Sequence, residues 1–248
     1  MRRRANFRRW QTWAGIAAAL VLIVLAGLYA VAGFFDRDPT HLFGSKTADP
    51  EIAAVYFSGD MGIRFGMGPY VAKALAGRGV PVLGISSPTM FGTHRSRAEV
   101  DGVVAASIAE TLERTGAHRI IVLGQSYGSD IARVGLVNLP TALRARVAAI
   151  VLVVPGDTAF FRADPTGLAY RGTPDATATD APRLDWAPLT CIRGALETDS
   201  LCPSLTKPNV RNIVLPGGHF LRNDHDTLVT TIFRALGPLL PPAATAQR

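Results

Sequence analysis

The stretch RIIVLGQSYGSD, Arg119–Asp130, joins two kinds of sequence pattern within a short segment. Ile120-Ile121-Val122-Leu123 is an uninterrupted apolar run, which is typical of a strand buried on both faces of a sheet. Gly124-Gln125-Ser126-Tyr127-Gly128 follows directly and fits the pattern Gly-x-Ser-x-Gly. From Ser129 onward the apolar residues fall at helical spacing. A strand, a sharp turn centred on a serine, and a helix are thus predicted in immediate succession.

This order of strand, serine and helix is the context in which Gly-x-Ser-x-Gly has a chemical meaning. The backbone must turn abruptly at Ser126, and glycines at 124 and 128 let the neighbouring backbones approach without side-chain clashes. The serine oxygen is then presented at the carboxyl edge of the sheet, above the N-terminus of the helix. We therefore predict that Ser126 is a catalytic nucleophile. The alternative is a tight strand–helix turn that holds a structural serine.

The alternation of apolar strands and helices continues on both sides of this stretch. Helical spacing is clearest over Arg97–Thr115, which Gly116 ends, and again over Asp226–Leu236. Continuous apolar strands separated by helices indicate a mostly parallel sheet covered on both faces. We predict an α/β-hydrolase fold with six strands, at residues 52–57, 80–85, 119–123, 147–154, 189–193 and 210–215.

A serine nucleophile needs a base and an acid, which in this fold follow it along the chain on loops after strands. His219 lies in Leu215-Pro216-Gly217-Gly218-His219-Phe220, just past the last predicted strand, and is the expected general base. The acid should follow the preceding strand, where Glu197 and Asp199 both lie. Its task is to orient the imidazole and stabilise its charged form. We prefer Asp199, with Glu197 as the alternative acid.

Two further loops complete the predicted site. The oxyanion hole should combine the backbone N–H of Tyr127 with one from the glycine-containing loop Ser58–Gly62, where Asp60 and Met61 are the candidates. Residues 155–188 are rich in Pro, Gly, Asp and Thr and are predicted to be irregular. A stretch of that length is often functional, so it forms either a lid over the pocket or a surface excursion.

The N-terminus predicts a membrane segment. Residues 13–35 carry no charge and as a helix would span about 35 Å, enough to cross a bilayer core. Five arginines lie in the basic tip 1–12, and without them the formal charge of +7 falls to +2, which argues against nucleic-acid binding by the folded part. The positive-inside rule places this tip in the cytoplasm and the rest outside a bacterial inner membrane. The alternative is a signal peptide cleaved after Ala30-Val31-Ala32.

Both alternatives export residues 36 onward, and export favours a disulfide between Cys191 and Cys202. The two cysteines lack the paired spacing of a zinc site, and no His/Asp cluster has ligand spacing, so no metal and no cofactor are predicted. The remaining divisions are a linker over 36–50, the hydrolase domain over 51–237, and a flexible tail over 238–248.

Residues 52–236 as a whole resemble the VirJ/AcvB family of bacterial proteins. The matching motifs are Ser58-Gly59-Asp60, Arg78-Gly79-Val80-Pro81-Val82, the elbow Gly124–Asp130, Gly194-x-x-Glu197-x-Asp199-Ser200-x-Cys202-Pro203 and Leu215–Phe220. The resemblance implies a periplasmic α/β-hydrolase whose nucleophile is Ser126, whose base is His219 and whose acid is Asp199 or Glu197. Members of this family are linked to hydrolysis of lysyl-phosphatidylglycerol, an aminoacylated membrane lipid, and to acid tolerance and virulence.

The sequence therefore predicts a membrane-anchored serine esterase, with lysyl-phosphatidylglycerol as the substrate that the resemblance implies. A carboxylate near the serine would suit the cationic amine of the aminoacyl group, and Asp60, Asp130 and Asp157 are candidates by position. Asp130 is equally interpreted as an ordinary helix residue. Two alternatives remain: a non-catalytic periplasmic binding or secretion-system accessory protein on the same fold, and an esterase of soluble substrates. No protein partner is predicted.

Overall fold

The strand that leads to Ser126 lies in the middle of a seven-stranded sheet in the computed structural model, which describes residues 2–44 and 50–242. This strand, β4 (Arg119–Gln125), lies between β2 (Ile52–Phe57) and β5 (Val147–Val153) and is parallel to both. Every residue of β2 and β5 is buried. The uninterrupted apolar runs in these segments therefore reflect helices packed on both faces of the sheet.

The other elements follow the predicted alternation. The remaining strands are β1 (Thr40–Phe43), β3 (Val82–Ile85), β6 (Thr158–Ala159), β7 (Ala176–Thr177), β8 (Leu189–Gly194) and β9 (Val210–Leu215). The helices are α1 (Arg2–Ala32), α2 (Gly68–Gly77), α3 (Ser87–Met90), α4 (Arg97–Thr115), α5 (Tyr127–Val137), α6 (Thr141–Arg144) and α7 (His225–Leu236). The sheet order is β1-β3-β2-β4-β5-β8-β9, with only the β1–β3 pair antiparallel, while β6 and β7 form a small separate sheet.

Two apolar cores lie on opposite faces of the sheet. Helices α4 and α5 bury Val104, Ile108 and Ile131 on one face, and α2 and α7 bury Leu75 and Ile232 on the other. This arrangement brings the carboxyl ends of the parallel strands to one edge, where the loops after β2, β4, β5, β8 and β9 meet. In open α/β sheets ligands bind at this edge, so it is the expected position of a site.

Helix α1 has no role in either core. Its segment Trp10–Ala32 has a mean hydropathy of 2.5, is long and apolar enough to cross a membrane, and has none of its most apolar window buried. An exposed helix of this composition is unfavourable in water because large apolar side chains such as Leu22, Ile23 and Val24 would remain hydrated. By length and composition it fits either a membrane anchor or a signal sequence.

Two boundaries differ from the sequence prediction. The expected linker 36–50 contains β1, which pairs with β3 and raises the strand count from six to seven. The expected tail 238–248 begins with Leu239 and Leu240 packed against the core, and Arg78 Nη2 donates a hydrogen bond of 2.9 Å to the carbonyl oxygen of Pro241. Both segments are short, so their structure depends on distant partners that local sequence patterns do not reveal. Residues 243–248 of this tail lie outside the described residues.

Cys191 and Cys202 form the expected disulfide, with their Cα atoms 5.5 Å apart. Cys191 lies in β8 and Cys202 follows the loop after that strand. Both cysteines are buried. The bond closes a small ring, 191–202, and this ring carries both carboxylates that the sequence analysis considered as the acid.

Replacing both cysteines with alanine should lower the free energy of unfolding by about 3 kcal/mol, because a ring of this size limits the entropy of the unfolded chain by about that amount. We expect the melting temperature of the full chain in detergent to fall by about 6–12 °C. Circular dichroism measures this shift. A reductant should shift the wild type similarly and leave the double variant unchanged; equal melting temperatures for all samples would contradict the prediction.

Candidate active site

Ser126 occupies a strained turn between β4 and α5. Its backbone has φ 53° and ψ −127°, and residues other than glycine rarely adopt a positive φ. The flanking glycines make the turn possible. A Cβ on Gly124 would lie 2.6 Å from the Cα of Ser129, and a Cβ on Gly128 would overlap the carbonyl oxygens of Phe57 and Ser58. The steric reason that we gave for the Gly-x-Ser-x-Gly pattern therefore holds in the structure.

The loop after β9 brings His219 to the serine. Gly217, with φ 98°, turns the chain away from the strand. His219 Nε2 then lies 2.7 Å from Ser126 Oγ. This distance is within direct hydrogen-bonding reach, as transfer of the serine proton to the imidazole requires.

The carboxylate on the other side of the imidazole is that of Glu197. Its Oε1 lies 2.8 Å from His219 Nδ1, and its Oε2 accepts a 2.7 Å hydrogen bond from the backbone N–H of Gly194. The structure thus places Glu197, the alternative acid, against the imidazole, whereas the preferred Asp199 lies exposed two residues further along. The turn that follows β8 explains the difference: it directs the side chain of Glu197 back to the strand end, where it is only 5% exposed.

The environment of His219 favours its charged form. The hydrogen bond to Glu197 is the largest influence and raises the pKa of the imidazole, while burial acts in the opposite direction. A carboxylate in this position also fixes the tautomer, because Nδ1 carries the hydrogen and leaves the lone pair of Nε2 toward Ser126.

The two loops expected to supply oxyanion donors lie beside Ser126. Tyr127 is the first residue of α5, so its backbone N–H is at the positive end of that helix. A Cβ on Gly59 would lie 3.7 Å from the Cβ of Ser126, which places the loop after β2 directly against the serine. Asp60 and Met61, the candidates for the second donor, are the two middle residues of the turn that the Gly62 N–H closes on the Gly59 carbonyl at 3.0 Å.

The 155–188 segment, expected to be either a lid or a surface excursion, contributes Tyr170 beside the site, a residue that the sequence did not single out. The hydroxyl of Tyr170 donates a 3.1 Å hydrogen bond to Asp60 Oδ2, and its ring stacks on that of Tyr127 with centroids 6.1 Å apart. Buried Arg133 of α5 holds the segment in place by donating to the carbonyl oxygens of Thr177 and Asp157. The segment has no periodicity, so nothing in its pattern marked Tyr170.

Acidic groups surround the serine. Asp130 lies one helical turn after Ser126, and its Oδ1 accepts a 2.8 Å hydrogen bond from the Gly156 N–H. Burial raises the pKa of Asp130 to about 8, against the opposing effect of Arg133. Burial likewise raises the pKa of Asp60. Asp60 follows Gly59, which packs against Ser126, and the backbone N–H of Asp130 donates a 3.2 Å hydrogen bond to the carbonyl oxygen of Ser126, so both residues are close neighbours of the serine.

The hydroxyl of Tyr127 is buried and has no hydrogen-bond partner among the described residues. In those same residues no group of three or more His, Cys, Asp or Glu side chains could hold a metal ion. The described part of the site is thus a serine, an imidazole, carboxylates and backbone N–H groups.

A known family covers the part of the chain that forms this site. The model of a family described as bacterial virulence protein (VirJ) matches residues 51–238. The chain belongs to the VirJ family. The VirJ match begins just before β2 and ends after α7, so it includes Ser126, Glu197 and His219 and leaves α1 and β1 outside. The comparison with curated proteins gives no match.

Solved structures share the fold of this VirJ-family chain at low sequence identity. An α/β serine hydrolase without a lid, XC6422 from Xanthomonas campestris, has 13% identity and a TM-score of 0.54, over 83% of this chain and 89% of that one. An α/β serine hydrolase homologue from Coxiella burnetii has 14% identity and a TM-score of 0.57, over 79% and 90%. The esterase Pf2001 from Pyrococcus furiosus has 16% identity and a TM-score of 0.56, over 76% and 81%. The predicted α/β-hydrolase fold is confirmed.

Proposed function

We propose that this chain is a serine esterase in which Ser126 is the nucleophile, His219 the general base and Glu197 the acid. The observation that carries the proposal is the continuous chain of contacts from Ser126 Oγ to His219 Nε2 and from His219 Nδ1 to Glu197 Oε1. Three side chains from three different loops meet in the order that acyl transfer requires. The strained backbone of Ser126 supports the same function, because such strain clusters at functional sites.

The reaction has two steps. His219 takes the proton of Ser126 as the serine oxygen attacks the ester carbonyl. His219 then gives that proton to the departing alcohol. Water next attacks the acyl-serine, again with His219 as base, and releases the carboxylic acid and free Ser126. In both steps the N–H of Tyr127 and one N–H from Asp60 or Met61 would stabilise the negative oxygen.

We further propose that α1 anchors the enzyme in a bacterial inner membrane, with its basic tip in the cytoplasm and the sheet in the periplasm. The hydropathy of Trp10–Ala32 and the arginines that precede it support this topology. The Cys191–Cys202 disulfide supports an oxidising compartment for the sheet.

The substrate that we propose is lysyl-phosphatidylglycerol. Its acyl group is an amino acid with a cationic side chain, and two acidic residues neighbour Ser126: Asp60 follows Gly59, which packs against the serine, and Asp130 bonds through its N–H to the Ser126 carbonyl oxygen. Burial raises the pKa of both carboxyl groups, and a bound cation would stabilise their ionised forms. The unpartnered hydroxyl of Tyr127 offers an acceptor for an ammonium group in the same region.

The experiment that tests this function measures lysine release. The full chain in detergent micelles is incubated with lysyl-phosphatidylglycerol, and the Ser126→Ala variant serves as the control. Serine-dependent release of lysine would support both the triad and the substrate. Cleavage of a p-nitrophenyl ester without lysine release would retain the esterase and discard the lipid, while activity on neither would favour a binding protein on this fold.

Asp130→Asn should weaken the preference for cationic acyl groups and stabilise the fold. We expect the ratio of kcat/KM for a lysyl ester to that for an acetyl ester to fall about tenfold, because a hydrogen bond to a charged partner contributes about 1.5–3 kcal/mol. Since burial raises the pKa of this carboxyl group, its ionisation destabilises the folded state as the pH rises from about 4 toward 8. The variant should therefore melt at a higher temperature than the wild type at pH 8, but not at pH 4.

The matched control is Asp185→Asn, because Asp185 is an exposed carboxylate. This variant should change neither the substrate ratio nor the melting temperature. If Asp130→Asn behaves in the same way as the control, Asp130 does not contact the acyl group.

A further inference from the structure

The end of α1 lies against the loop that faces Ser126. Gly62, with φ 79°, packs directly under the last residue of the helix, so that a Cβ at position 62 would overlap the carbonyl oxygen of Ala32. Ala32 is only 2% exposed. Gly62 also closes the Gly59–Gly62 turn, whose other end lies beside Ser126. A turn of four residues spans less than about 7 Å, so a single turn separates the helix end from the nucleophile.

A second connection runs through the 155–188 segment. Tyr29, in the last turn of α1, donates a 3.0 Å hydrogen bond to Asp164 Oδ1. The backbone N–H of Asp164 donates to the Tyr170 hydroxyl at 2.9 Å, and that hydroxyl donates to Asp60 at 3.1 Å. Tyrosine near the end of a membrane helix is typical of the membrane–water interface. The active-site loop is therefore tied to the helix at the level where the helix would leave the bilayer.

Exposed apolar side chains surround the same edge of the sheet. Outside α1, the large hydrophobic residues that are exposed in the described chain are Phe35, Phe65, Tyr70, Leu168, Leu196, Val214 and Phe220. All except Val214 lie in loops or first helical turns at the carboxyl edge of the strands or, for Phe35, just after α1. Two of them adjoin the triad: Leu196, 75% exposed, precedes Glu197, and Phe220, 71% exposed, follows His219. We call these six residues the apolar rim.

Basic residues accompany the rim. Arg64, which forms a 3.0 Å ion pair with Asp36, precedes Phe65, and Arg222 follows Phe220 by two positions. Arg162 lies two positions before Asp164, the hydrogen-bond partner of Tyr29. All three arginines are exposed. Apolar side chains with interspersed cations are what a membrane surface with anionic lipids attracts. A single exposed apolar residue needs no explanation. Six exposed apolar residues around one site, next to the end of an apolar helix, do require one.

We propose that the catalytic edge of the sheet lies on the bilayer surface, with the apolar rim in the interfacial region. The site then accepts an amphiphile whose scissile ester is in the headgroup, without removing the lipid from the bilayer. The proposal rests on α1 as a retained anchor and on the proposed esterase function. It goes beyond them by assigning the orientation of the site and the rim residues that hold it there.

The orientation is tested without any enzymatic readout. Both native cysteines are in the disulfide, so a cysteine introduced at Phe65, at Leu168 or at the control position Ala142 provides a single free thiol for an environment-sensitive fluorophore. Ala142 is exposed in α6, just before β5, and so lies at the opposite edge of the sheet. The full chain is reconstituted in phosphatidylglycerol-containing vesicles with lipids brominated near the headgroup. We expect strong quenching for Phe65→Cys and Leu168→Cys and little for the control Ala142→Cys. Equal quenching at all three positions would overturn the proposal.

A kinetic experiment tests the consequence for substrate access. For Phe65→Asp/Leu168→Asp, we expect the rate on lysyl-phosphatidylglycerol in vesicles, divided by the rate on a soluble p-nitrophenyl ester, to fall about tenfold. Ala142→Asp, at the opposite edge of the sheet, should keep the wild-type ratio. An unchanged ratio in the double variant would count against the rim. If the wild type cleaves neither substrate, the proposed function fails, whereas the quenching experiment still decides the orientation.

Discussion

Ser126→Ala should lower kcat/KM for a soluble p-nitrophenyl ester by about 10⁴–10⁶-fold, because the remaining groups stabilise the oxyanion but cannot form the acyl-enzyme. The folded structure should survive. The backbone N–H of Ser126 keeps its 2.9 Å hydrogen bond to the carbonyl oxygen of Val153, and the hydroxyl oxygen contacts His219 at 2.7 Å without supporting the turn. Steady-state kinetics, together with a melting curve, check both parts of the prediction.

Ser204→Ala is the matched control, since Ser204 is an exposed serine outside the site. It should retain wild-type kinetics. A fluorophosphonate probe, which labels activated serines covalently, should label the wild type and this control but not Ser126→Ala. A Ser126→Ala protein that keeps more than one hundredth of the activity would exclude Ser126 as the nucleophile.

Glu197→Gln should lower kcat/KM about 10³–10⁴-fold, whereas Asp199→Asn should change it by less than about threefold. The two carboxylate oxygens of Glu197 accept from His219 Nδ1 and from the Gly194 N–H. A glutamine has only one acceptor oxygen. Its amide must therefore turn a donor either toward the Gly194 N–H or toward Nδ1, which would favour the wrong tautomer of the imidazole.

The pH profile separates this role from a structural one. The base must be neutral, so activity falls as the pH drops through the pKa of His219, which Glu197 raises above its ordinary value. In Glu197→Gln the acidic limb of the residual kcat/KM should move to lower pH, while Asp199→Asn should leave it near the wild-type position. If Asp199→Asn instead shows the large loss and the shifted limb, Asp199 is the acid.

The parts of the fold that could be predicted from the sequence are those that local sequence patterns determine. The strand before Ser126 and the helix after it are adjacent in sequence. Gly124 is required by contacts within the turn itself, and Gly128 by the carbonyl oxygens at the end of the neighbouring strand β2. The strands were recognisable because burial on both faces makes them continuously apolar. His219 was predictable because it directly follows the last strand of the sheet.

The choice between Glu197 and Asp199 could not be made in this way. Both residues follow β8 and both carry a carboxylate; only the path of the turn decides which one reaches the imidazole. The spacing of three residues from Gly194 was a signal for Glu197, since the same turn lets the side chain bond back to the Gly194 N–H. Tyr170 and β1 were missed because their partners, Asp60 and β3, are distant in sequence.

The connection between α1 and the sheet is short. Residues 33–39 alone separate the helix from β1, and even fully extended they would reach only about 25 Å. They are not extended, because the Gly33 N–H bonds back to the Ala30 carbonyl and the Ser86 N–H bonds to the Pro39 carbonyl. With the proposed anchor and lipid substrate, an enzyme attached through so short a segment would find its lipid by lateral diffusion in two dimensions. Its turnover would then follow the mole fraction of substrate in its own bilayer, and lipids of a second membrane across an aqueous gap would stay out of reach.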